Sequence, residues 1–434
     1  MQAEIRYHNT LINVEFPDTD RIYHTYCDIP VVAEPELVLE AVRYPINSEG
    51  LAVSIKKRPR SRVVIAVSDI TRPIPYQLFL PALFDEIESA GMDRKSITIL
   101  IANGMHRPST AEERDCMFGR EITSRYKILD HNAEGDMASL SGTSFSGAPV
   151  KLNRYFSEAD YKIVIGLVEP HFMAGFSGGR KTLCPGLSSL DTIKNFHGYE
   201  FLSHPKATAA VLEGNPCNEE ALSVARLACV DFSINLVINH KKEIVKVFAG
   251  DIFEAHARAC TYVNEKTCPV VETQADVVVT GCGGYPLDAT FYQCVKALVT
   301  ALPCVRRGGT IIAAGGCAEG IGSQSYEKLL RKYSNDFPRF IQDIKRSSVI
   351  VMDQWQIQMQ TRIYEKTGLD RIHFFTHGIA SSDSSFLGVK IKEVGSESIT
   401  SQLQKIIDNM ARKGCSFAVI PEGPYCAPLS NDRE

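Results

Sequence analysis

The hydrophobic positions of the chain fall mostly into short runs of β-branched residues separated by amphipathic stretches. Helical patterns lie between several runs, at 78–91, 218–228 and 325–333. Apolar strands buried on both faces, alternating with amphipathic helices, are typical of parallel α/β sheets. The predicted strands are RVVIAV (62–67), ITILIA (97–102), KIVIGLV (162–168), INLVIN (234–239), ADVVVTG (275–281), GTIIAAG (309–315), SVIVM (348–352) and FAVIPEG (417–423).

The length of the chain and one change in its pattern predict two domains. At 434 residues the chain is roughly two to three times the usual domain length. A long helical stretch ends near 264–281, where a new strand and a glycine-rich turn begin. We therefore expect an α/β fold of two domains with largely parallel sheets, at 1–268 and 275–434. The pattern leaves open whether the last strand pairs with the first domain.

Composition excludes several classes of protein. Charged residues of both signs are interspersed, the formal net charge is −4, and the one dense basic run, KKRPRSR (56–62), is interpreted as a solvated loop, so we expect no nucleic acid partner. The first residues alternate like a strand and lack signal-peptide features, and no run approaches the roughly 18 apolar residues of a membrane helix. These features predict a cytoplasmic protein without a membrane partner. Thirteen cysteines without a Cys-x-x-Cys motif indicate structural thiols, including Cys184 and Cys294.

Polar residues concentrate directly after the first two predicted strands. SDITRP follows 62–67 and supplies Asp69, Thr71 and Arg72. NGMHRPST follows 97–102 and supplies His106, and Ser109 or Thr110 then caps a predicted helix. Ligands of open α/β sheets bind beyond the carboxyl ends of the strands, so these loops are candidate sites.

The third strand-end segment, EPHFMAGFSGGRKTLCPG (169–186), looks like an altered phosphate loop. In a phosphate loop a second glycine precedes Lys-Ser/Thr, but here Arg180 stands before Lys181. The segment also contains His171, and the helix after it carries His197 near its end. Two histidines suit proton transfer on either side of a substrate, and a third suits a divalent metal. Spacing along the chain does not establish their geometry.

The second domain contributes GCGGYPLDATFYQCVKAL (281–298) after a predicted strand. Its glycines do not have the G-x-G-x-x-G spacing of a dinucleotide fold, which disfavours a Rossmann cofactor. Gln293 and Lys296 lie three residues apart on the following helix and face one side. An amide beside a cation suits a small anion that also carries a hydroxyl, although two solvated helix residues are an equally simple interpretation.

Taken together, these motifs resemble the nickel-dependent lactate racemase family. SDITRP, NGMHR, EPHFMAGFSGGRKTLCPG, NFHGYE and GGYPLDATFYQCVKAL occur in order across about 230 residues, and DQWQIQ around Trp355 is also similar to family sequence. The resemblance implies an isomerase with a nickel-pincer nucleotide, Ni(II)-pyridinium-3,5-bisthiocarboxylate mononucleotide. It implies that the cofactor is attached to Lys181 and that its nickel binds His197.

The same resemblance implies roles for the other motif residues. His106 and His171 become the acid/base pair, and the cofactor contacts Asp69, Ile70, Thr71 and Arg72. The implied substrate contacts are Arg72, Tyr292, Gln293 and Lys296. One histidine would remove the hydroxyl proton of a 2-hydroxy acid while the C2 hydride passes to the cofactor, and return to the opposite face would give the other enantiomer. The active site is then expected in a cleft between the domains, and maturation proteins are the expected partners.

Alternatives remain open at this point. Lactate is the favoured substrate, and the runner-up is a larger 2-hydroxy acid such as malate, an aromatic or branched acid, or a sugar acid. Met173 and Trp355 are guesses for the pocket lining, and core packing explains either residue at least as well. From another class, the chain could be a nucleotide-dependent transferase or a carrier of the nickel cofactor. Arg180 argues against the transferase, because a side chain there is expected to crowd a phosphate cradle.

Overall fold

Strands and helices alternate along most of the chain, as the hydrophobic pattern predicts. The computed structural model describes residues 1–17, 21–24, 34–239, 241–394 and 398–431. The strands are β1 Gln2–Tyr7, β2 Thr10–Glu15, β3 Val63–Ser68, β4 Ile97–Ala102, β5 Lys127–Asp130, β6 Met137–Thr143, β7 Pro149–Asn153, β8 Tyr161–Leu167, β9 Pro170–His171, β10 Gly175–Phe176, β11 Phe232–Ile238, β12 Ile244–Gly250, β13 Val270–Val271, β14 Ala275–Gly281, β15 Val305–Ala314, β16 Ile372–Thr376, β17 Lys390–Glu393, β18 Phe417–Ile420 and β19 Leu429–Ser430. The α-helices are α1 Glu34–Arg43, α2 Leu51–Lys56, α3 Tyr76–Ser89, α4 Ala111–Phe118, α5 Arg120–Arg125, α6 Arg154–Ser157, α7 Leu190–Phe196, α8 Tyr199–Ser203, α9 Pro216–Ala228, α10 Glu254–Thr267, α11 Phe291–Thr300, α12 Gln324–Tyr333, α13 Phe337–Arg346, α14 Gln354–Thr367, α15 Ser384–Leu387 and α16 Ile399–Arg412.

The chain divides into two compact units. The larger unit comprises Tyr26–His197 and Lys206–Asn264, and the smaller unit comprises Met1–Thr25, Gly198–Pro205 and Glu265–Glu434. The expected α/β fold with largely parallel sheets in two domains is therefore confirmed. The division differs from the sequence-based boundaries, because it places two early segments with the C-terminal half of the chain.

The larger unit is built on a six-stranded sheet in the order β12-β11-β8-β3-β4-β5. All neighbouring strands are parallel except β12, which is antiparallel to β11. The chain proceeds from β3 outward through β4 to β5, and β8 then pairs with the other side of β3. The order thus reverses between β3 and β8, and such a reversal opens a crevice at the carboxyl ends of the strands.

The core of the larger unit follows directly from the β-branched runs. Side chains of β3, β4 and β8 are almost entirely buried because helices cover the sheet. Helix α3 buries one face at helical spacing, and each large side chain removed from water contributes roughly 1.5–3 kcal/mol. The buried residues of α3 are Tyr76, Phe79, Leu80, Leu83, Phe84 and Ile87.

The smaller unit contains a five-stranded parallel sheet in the order β17-β16-β15-β14-β18. The N-terminal hairpin β1–β2 packs its apolar side chains, among them Ile5 and Val14, into the same core as Val277 and Val419. The amide of Tyr23 also donates to the carbonyl of Val419 at 2.8 Å. These contacts are the physical reason why the first residues group with the C-terminal half.

Helix α8 joins the smaller unit by hydrogen bonds to α14. Gln358 Nε2 donates to the carbonyl of Tyr199 at 2.9 Å, and the Arg362 guanidinium donates to the carbonyl of Leu202. The local sequence of a short helix does not indicate a partner so far along the chain. The sequence therefore could not assign α8 to the smaller unit.

Two sequence expectations about strands have clear outcomes. The last predicted strand, β18, is parallel to β14 within the smaller unit, and so the question of its partner is settled. The predicted strand at 348–352 is wrong: this segment is irregular, lies between α13 and α14, and leaves the Val349 side chain 66% exposed. A β-branched run is an insufficient strand signal when no neighbouring edge is present to pair with it.

The structure around the basic run and around the cysteines agrees with the predicted solvated loop and structural thiols. In the basic run, Lys57 contacts Glu49, Arg58 contacts Asp231 and Arg62 lies 3.7 Å from Asp160, so these charges are compensated. The described cysteines are all free thiols, and burial raises the pKa of Cys184 to about 12. None of the described helices is both long enough and apolar enough to span a membrane.

Candidate functional site

The first loop of the candidate site follows β3 and centres on the buried carboxylate of Asp69. Thr71 Oγ1 donates to Asp69 Oδ1 at 2.6 Å, and His106 Nδ1 donates to Asp69 Oδ2 at 2.5 Å. Burial raises the pKa of Asp69, but His106, Thr71 and Arg72 together outweigh it and hold the pKa below its usual range. Asp69 therefore remains ionised and orients the His106 ring.

His106 lies in the loop after β4, next to β3 in the sheet. Its backbone amide donates to the carbonyl of Asn103, and Gly104 donates to the carbonyl of Gly186 at 2.9 Å, which ties this loop to the glycine-rich segment. The His106 side chain is 46% exposed. Because Nδ1 is held by a carboxylate, Nε2 is the ring nitrogen suited to exchange a proton with a ligand. Thr110, and not Ser109, caps α4 in a capping box with Glu113.

Arg72 joins the ends of β3 and β8 across the point where the strand order reverses. Its Nε lies 3.2 Å from Oε1 of Glu169, and both side chains are mostly buried. Glu169 Oε2 is also buried and has no hydrogen-bond partner among the described residues. The sequence analysis missed Glu169, although its position directly after a buried strand was a usable signal.

His171 belongs to a small hairpin formed by β9 and β10. The backbone amides of Met173 and Ala174 donate to His171 Nδ1 at 3.3 and 3.2 Å. A neutral imidazole that accepts at Nδ1 carries its proton on Nε2. Nε2 lies 3.1 Å from Nζ of Lys181. The structure thus brings together two residues that the sequence placed ten positions apart.

Lys181 lies in a single 3₁₀ turn, Gly179–Thr182, immediately after β10 and the two glycines. A side chain on Gly178 would lie 2.8 Å from Val168 Cγ2, and one on Gly179 would lie 2.6 Å from the His256 ring. Both glycines also have positive φ angles, 75° and 47°. Packing against the chain itself therefore explains these two glycines, without a phosphate.

The Arg180 side chain, which the sequence predicted to crowd a phosphate cradle, lies in the interior of the protein. It is 2% exposed and extends into the interior, where Nε donates to Asn218 Oδ1 at 2.5 Å. Nη1 contacts the His256 ring, and Nη2 donates to the carbonyls of Ala174 and Phe176. The expectation of crowding was wrong because the guanidinium is buried among these protein groups.

His197 directly follows α7 as the residue at its C-cap. Its Nδ1 donates to the carbonyl of Ile193 at 2.9 Å. Burial first, and the charge of Lys181 second, lower the pKa of His197 to about 3, so the ring stays neutral. With its proton on Nδ1, the ring presents a lone pair on Nε2, and this tautomer is the one that metal-binding histidines adopt when a backbone carbonyl orients them.

The remaining candidate residues lie on α11 in the smaller unit. Thr290 caps this helix by accepting from the amide of Gln293. Gln293 Oε1 is buried and has no hydrogen-bond partner among the described residues, whereas Gln293 and Lys296 are each partly exposed. Such an oxygen is an available acceptor for a ligand hydroxyl.

Tyr292 is held by the helix that carries Trp355. Trp355 Nε1 donates to Tyr292 Oη at 3.0 Å, and Gln356 Nε2 donates to the Tyr292 carbonyl. Burial raises the pKa of Tyr292 well above its usual value, so the phenol stays protonated. Trp355 and Met173 are both almost fully buried, which matches ordinary core packing for each.

Known proteins share this arrangement of two domains. The chain matches the family models of the lactate racemase N-terminal domain over residues 7–210 and the lactate racemase C-terminal domain over residues 270–423. The chain belongs to the lactate racemase family. The resemblance that the motifs indicated is thereby confirmed, and the family is one of isomerases.

Individual relatives support the family assignment. Lactate racemases of Thermoanaerobacterium thermosaccharolyticum and of Lactiplantibacillus plantarum are each 35% identical over 335 residues, which is 76% of this chain and 78% of theirs. The structure of the lactate racemase apoprotein from T. thermosaccharolyticum superimposes with a TM-score of 0.85 at 29% identity, over 100% of both chains. A crystal structure of a Thermotoga maritima protein shares the fold, with a TM-score of 0.67 at 18% identity, over 89% of this chain and 99% of that one.

Proposed function

We propose that the protein interconverts the D and L enantiomers of lactate by using a nickel-pincer nucleotide attached to Lys181. The observation that carries the proposal is the set of groups at the carboxyl ends of β3, β4 and β8. There, His106 contacts Asp69 and His171 contacts Lys181, each by a direct hydrogen bond. These pairs supply two imidazoles suited to proton transfer and one lysine suited to attachment, as the family requires.

The residues of the larger unit fit the cofactor. His171 directs an N–H toward Lys181 Nζ, and a charged ammonium cannot accept that proton, whereas a neutral nitrogen is compatible with it. Attachment through Nζ removes the ammonium charge. His197 supplies a neutral ring nitrogen for nickel, and Asp69, Ile70, Thr71 and Arg72 form the loop proposed to contact the nucleotide. When bound, the group supplies a carbon that accepts a hydride and returns it.

The chain's own residues supply the proton chemistry and the substrate contacts. One histidine takes the hydroxyl proton of lactate while the other histidine supplies a proton, and the roles reverse for the other enantiomer; to accept a proton at Nε2, His171 must first carry its resting proton on Nδ1 instead. The transient 2-keto acid keeps its carboxylate on a cation, for which we propose Arg72, and Lys296 is proposed as a further substrate contact. Gln293, through its unpartnered oxygen, and Tyr292 are proposed to contact the substrate as well. Separate maturation proteins are proposed to supply the cofactor.

The decisive experiment follows the hydrogen at C2. Cofactor-loaded protein is incubated with single-enantiomer lactate in D2O, and NMR is combined with chiral analysis. Loss of optical purity with protium retained at C2 is expected, because the hydride returns without exchange. Deuterium at C2 would indicate carbanion chemistry and contradict the proposal. Turnover of malate or a bulkier 2-hydroxy acid in place of lactate would identify the runner-up substrate.

The two histidines are tested by His106→Asn and His171→Asn in the loaded enzyme. Each variant is expected to lose about 10²–10⁴-fold in kcat, the usual contribution of general acid–base catalysis. Intact mass is measured in parallel, so that a failure to attach the cofactor is separated from a failure of proton transfer. A fully active single variant would contradict the two-histidine scheme.

The transferase alternative is tested by binding. The segment around Lys181 has the glycines of a phosphate loop, but two of them are required by packing against Val168 and His256. We therefore expect no tight, magnesium-dependent binding of ATP by calorimetry, and tight binding would revive that alternative.

A further inference from the structure

Arg180 is the largest fully buried side chain of the molecule among the described residues, and its charge requires explanation. An uncompensated buried charge is costly, so the position demands partners on every side. Its four contacting groups come from three places: Asn218 on α9, His256 on α10, and the carbonyls of Ala174 and Phe176. The guanidinium therefore holds two helices and one turn together.

His256 completes this arrangement as a neutral acceptor. Its Nε2 donates to the carbonyl of Ser177 at 2.9 Å, and Nη1 of Arg180 lies 3.2 Å from its Nδ1 and 2.9 Å from its Nε2. Burial, and then the charge of Arg180, lower the pKa of His256 to about 3. The ring thus accepts from Arg180 on one side and fixes the backbone just before Gly178 on the other.

The turn that Arg180 holds is the same turn that orients His171. Arg180 Nη2 donates to the carbonyl of Ala174 at 3.0 Å, and the amide of Ala174 donates to His171 Nδ1 at 3.2 Å. The amide of Met173 donates to the same ring nitrogen. The contacts therefore form a closed loop. Hydrogen bonds connect His171 through the turn to Arg180, the peptide bond connects Arg180 to Lys181, and Lys181 contacts His171 Nε2.

We propose that Arg180 is a positioning residue that, by fixing the carbonyls of Ala174 and Phe176, presents two backbone amides to His171 and so keeps the His171 proton on Nε2, facing Lys181. Glutamine or lysine cannot reproduce this role. A guanidinium reaches several acceptors with a planar fork, whereas an ammonium is a single point of donation. For catalysis the inference rests on the proposed function, but its geometric part concerns the cofactor-free protein alone.

The test observes the His171 tautomer directly. Protein labelled with ¹⁵N-histidine and prepared without cofactor is studied by long-range ¹⁵N–¹H correlation, and the His171 signal is assigned with His171→Asn. All proteins compared carry Lys181→Met, which removes the ammonium that would otherwise donate to Nε2; with Arg180 intact, the Nε2–H tautomer is expected to exceed the Nδ1–H tautomer by roughly tenfold or more, because two amides donate to Nδ1. In Arg180→Gln the two tautomers are expected to approach equal populations.

The chain offers an internal reference and a matched control. His131 is also buried, donates from Nε2 to the Ser188 carbonyl and accepts at Nδ1 from Asn153, so its signal reports on general damage. Cys260→Ala removes a buried group beside His256 without removing Arg180. Both the His131 signal in Arg180→Gln and the His171 signal in Cys260→Ala are expected to remain as in the protein that carries Lys181→Met alone.

The outcomes separate this inference from the proposed function. With Arg180 intact and Lys181 replaced, a His171 proton on Nδ1 would overturn the inference, as would an unchanged His171 tautomer in a folded Arg180 variant, and either result would leave the racemase proposal intact. If Arg180→Gln does not fold, Arg180→Lys is used, and it is expected to lose most of the tautomer preference. In the loaded enzyme a positioning role predicts that Arg180→Lys lowers kcat by about tenfold or more, with KM within about twofold of the wild type.

Discussion

Two glycine-rich loops follow parallel strands in this molecule, one in each unit, and each is organised by a buried charge of opposite sign. In the larger unit, Arg180 binds the carbonyl oxygens of Ala174 and Phe176. In the smaller unit, Asp288 Oδ2 accepts from the amides of His8 and Gly316 at 2.7 and 2.8 Å. A buried cation thus binds carbonyl groups beside the sheet of the larger unit, and a buried anion binds amide groups beside the sheet of the smaller unit.

The difference lies in what each loop presents. The residue after Arg180 is Lys181, which is already hydrogen-bonded to His171. The helix after Asp288 instead presents Gln293, whose buried oxygen has no partner among the described residues. The edge in the larger unit is thus assembled from groups that bind each other, and the edge in the smaller unit keeps an acceptor for a ligand. Groups that are already held in place suit catalysis of a reaction, and an acceptor that remains available suits recognition of a ligand.

The largest expected effect comes from removing the residue that distinguishes the first loop. Under the proposed function, Lys181→Ala and Lys181→Arg are expected not to attach the cofactor, and turnover of lactate is then expected to fall by on the order of 10⁶-fold or to background. Intact mass spectrometry after loading should show no adduct. Lys151→Ala, which changes an exposed lysine of β7, should retain both the adduct and the activity. An adduct of the same mass on Lys181→Ala would contradict the attachment site.

The second expected effect concerns the anion of the smaller unit. Asp288→Ala removes the acceptor of two amides and is expected to lower the free energy of unfolding by about 2–4 kcal/mol. Asp288→Asn keeps one oxygen in the place of Oδ2 and should cost less than about 1 kcal/mol. Urea unfolding followed by Trp355 fluorescence measures both, since Trp355 is the single tryptophan and lies in the smaller unit. Equal losses in the two variants would show that the amides do not depend on Asp288.

Lowering the pH should destabilise the larger unit more than the smaller unit. Burial lowers the pKa of His131 to about 4, and burial with the Arg180 charge lowers that of His256 to about 3, both in the larger unit. The unfolded chain binds these protons near pH 6.5 and the folded chain does not, so stability falls as the pH falls below 6.5. Each histidine should cost about 2 kcal/mol between pH 6.5 and pH 5.

Hydrogen exchange and fluorescence measure this difference. Peptides of the larger unit should lose protection at a higher pH than that at which Trp355 fluorescence changes. His373 in the smaller unit also has its pKa lowered to about 4, but it is partly exposed and contributes less. His131→Gln should reduce the acid sensitivity of the larger unit, and an unchanged sensitivity would exclude His131 as a source.

The smallest effect sharpens the description of the smaller unit. Trp355→Phe removes the donor to Tyr292 Oη and is expected to cost about 1 kcal/mol of unfolding free energy. Thermal unfolding followed by circular dichroism measures it. In a double-mutant cycle with Tyr292→Phe the two changes should couple, because they share one hydrogen bond. Additive losses would mean that this bond contributes nothing.

The sequence could predict the part of the site that consists of residues directly after the strands. β-branched runs located β3, β4 and β8, and the topology of parallel sheets then required that the residues after them share one edge. Asp69 and His106 meet for this reason, although 37 positions separate them. The lysine and metal-ligand roles came from motif resemblance, and they remain predictions.

The sequence could not predict what depends on distant partners. Arg180 was expected to crowd a phosphate cradle because local spacing says nothing about Asn218 or His256, which bind it in the folded chain. The run at 348–352 has strand composition but no edge to pair with. Short strands such as β16 and β17 were missed, since β16 has only five residues and β17 contains a single apolar residue among charged ones.

The hairpin β1–β2 has a consequence for the synthesis of the protein. It is made long before the side chains that cover it, among them Val277 and Val419. At 5–20 residues per second, a ribosome needs roughly 20–80 s to span that interval. Throughout this time Ile5 and Val14 lack their native core. The nascent chain therefore contains an apolar hairpin whose covering strands, β14 and β18, have not yet been made. In this interval chaperone binding would most strongly affect the yield of folded protein.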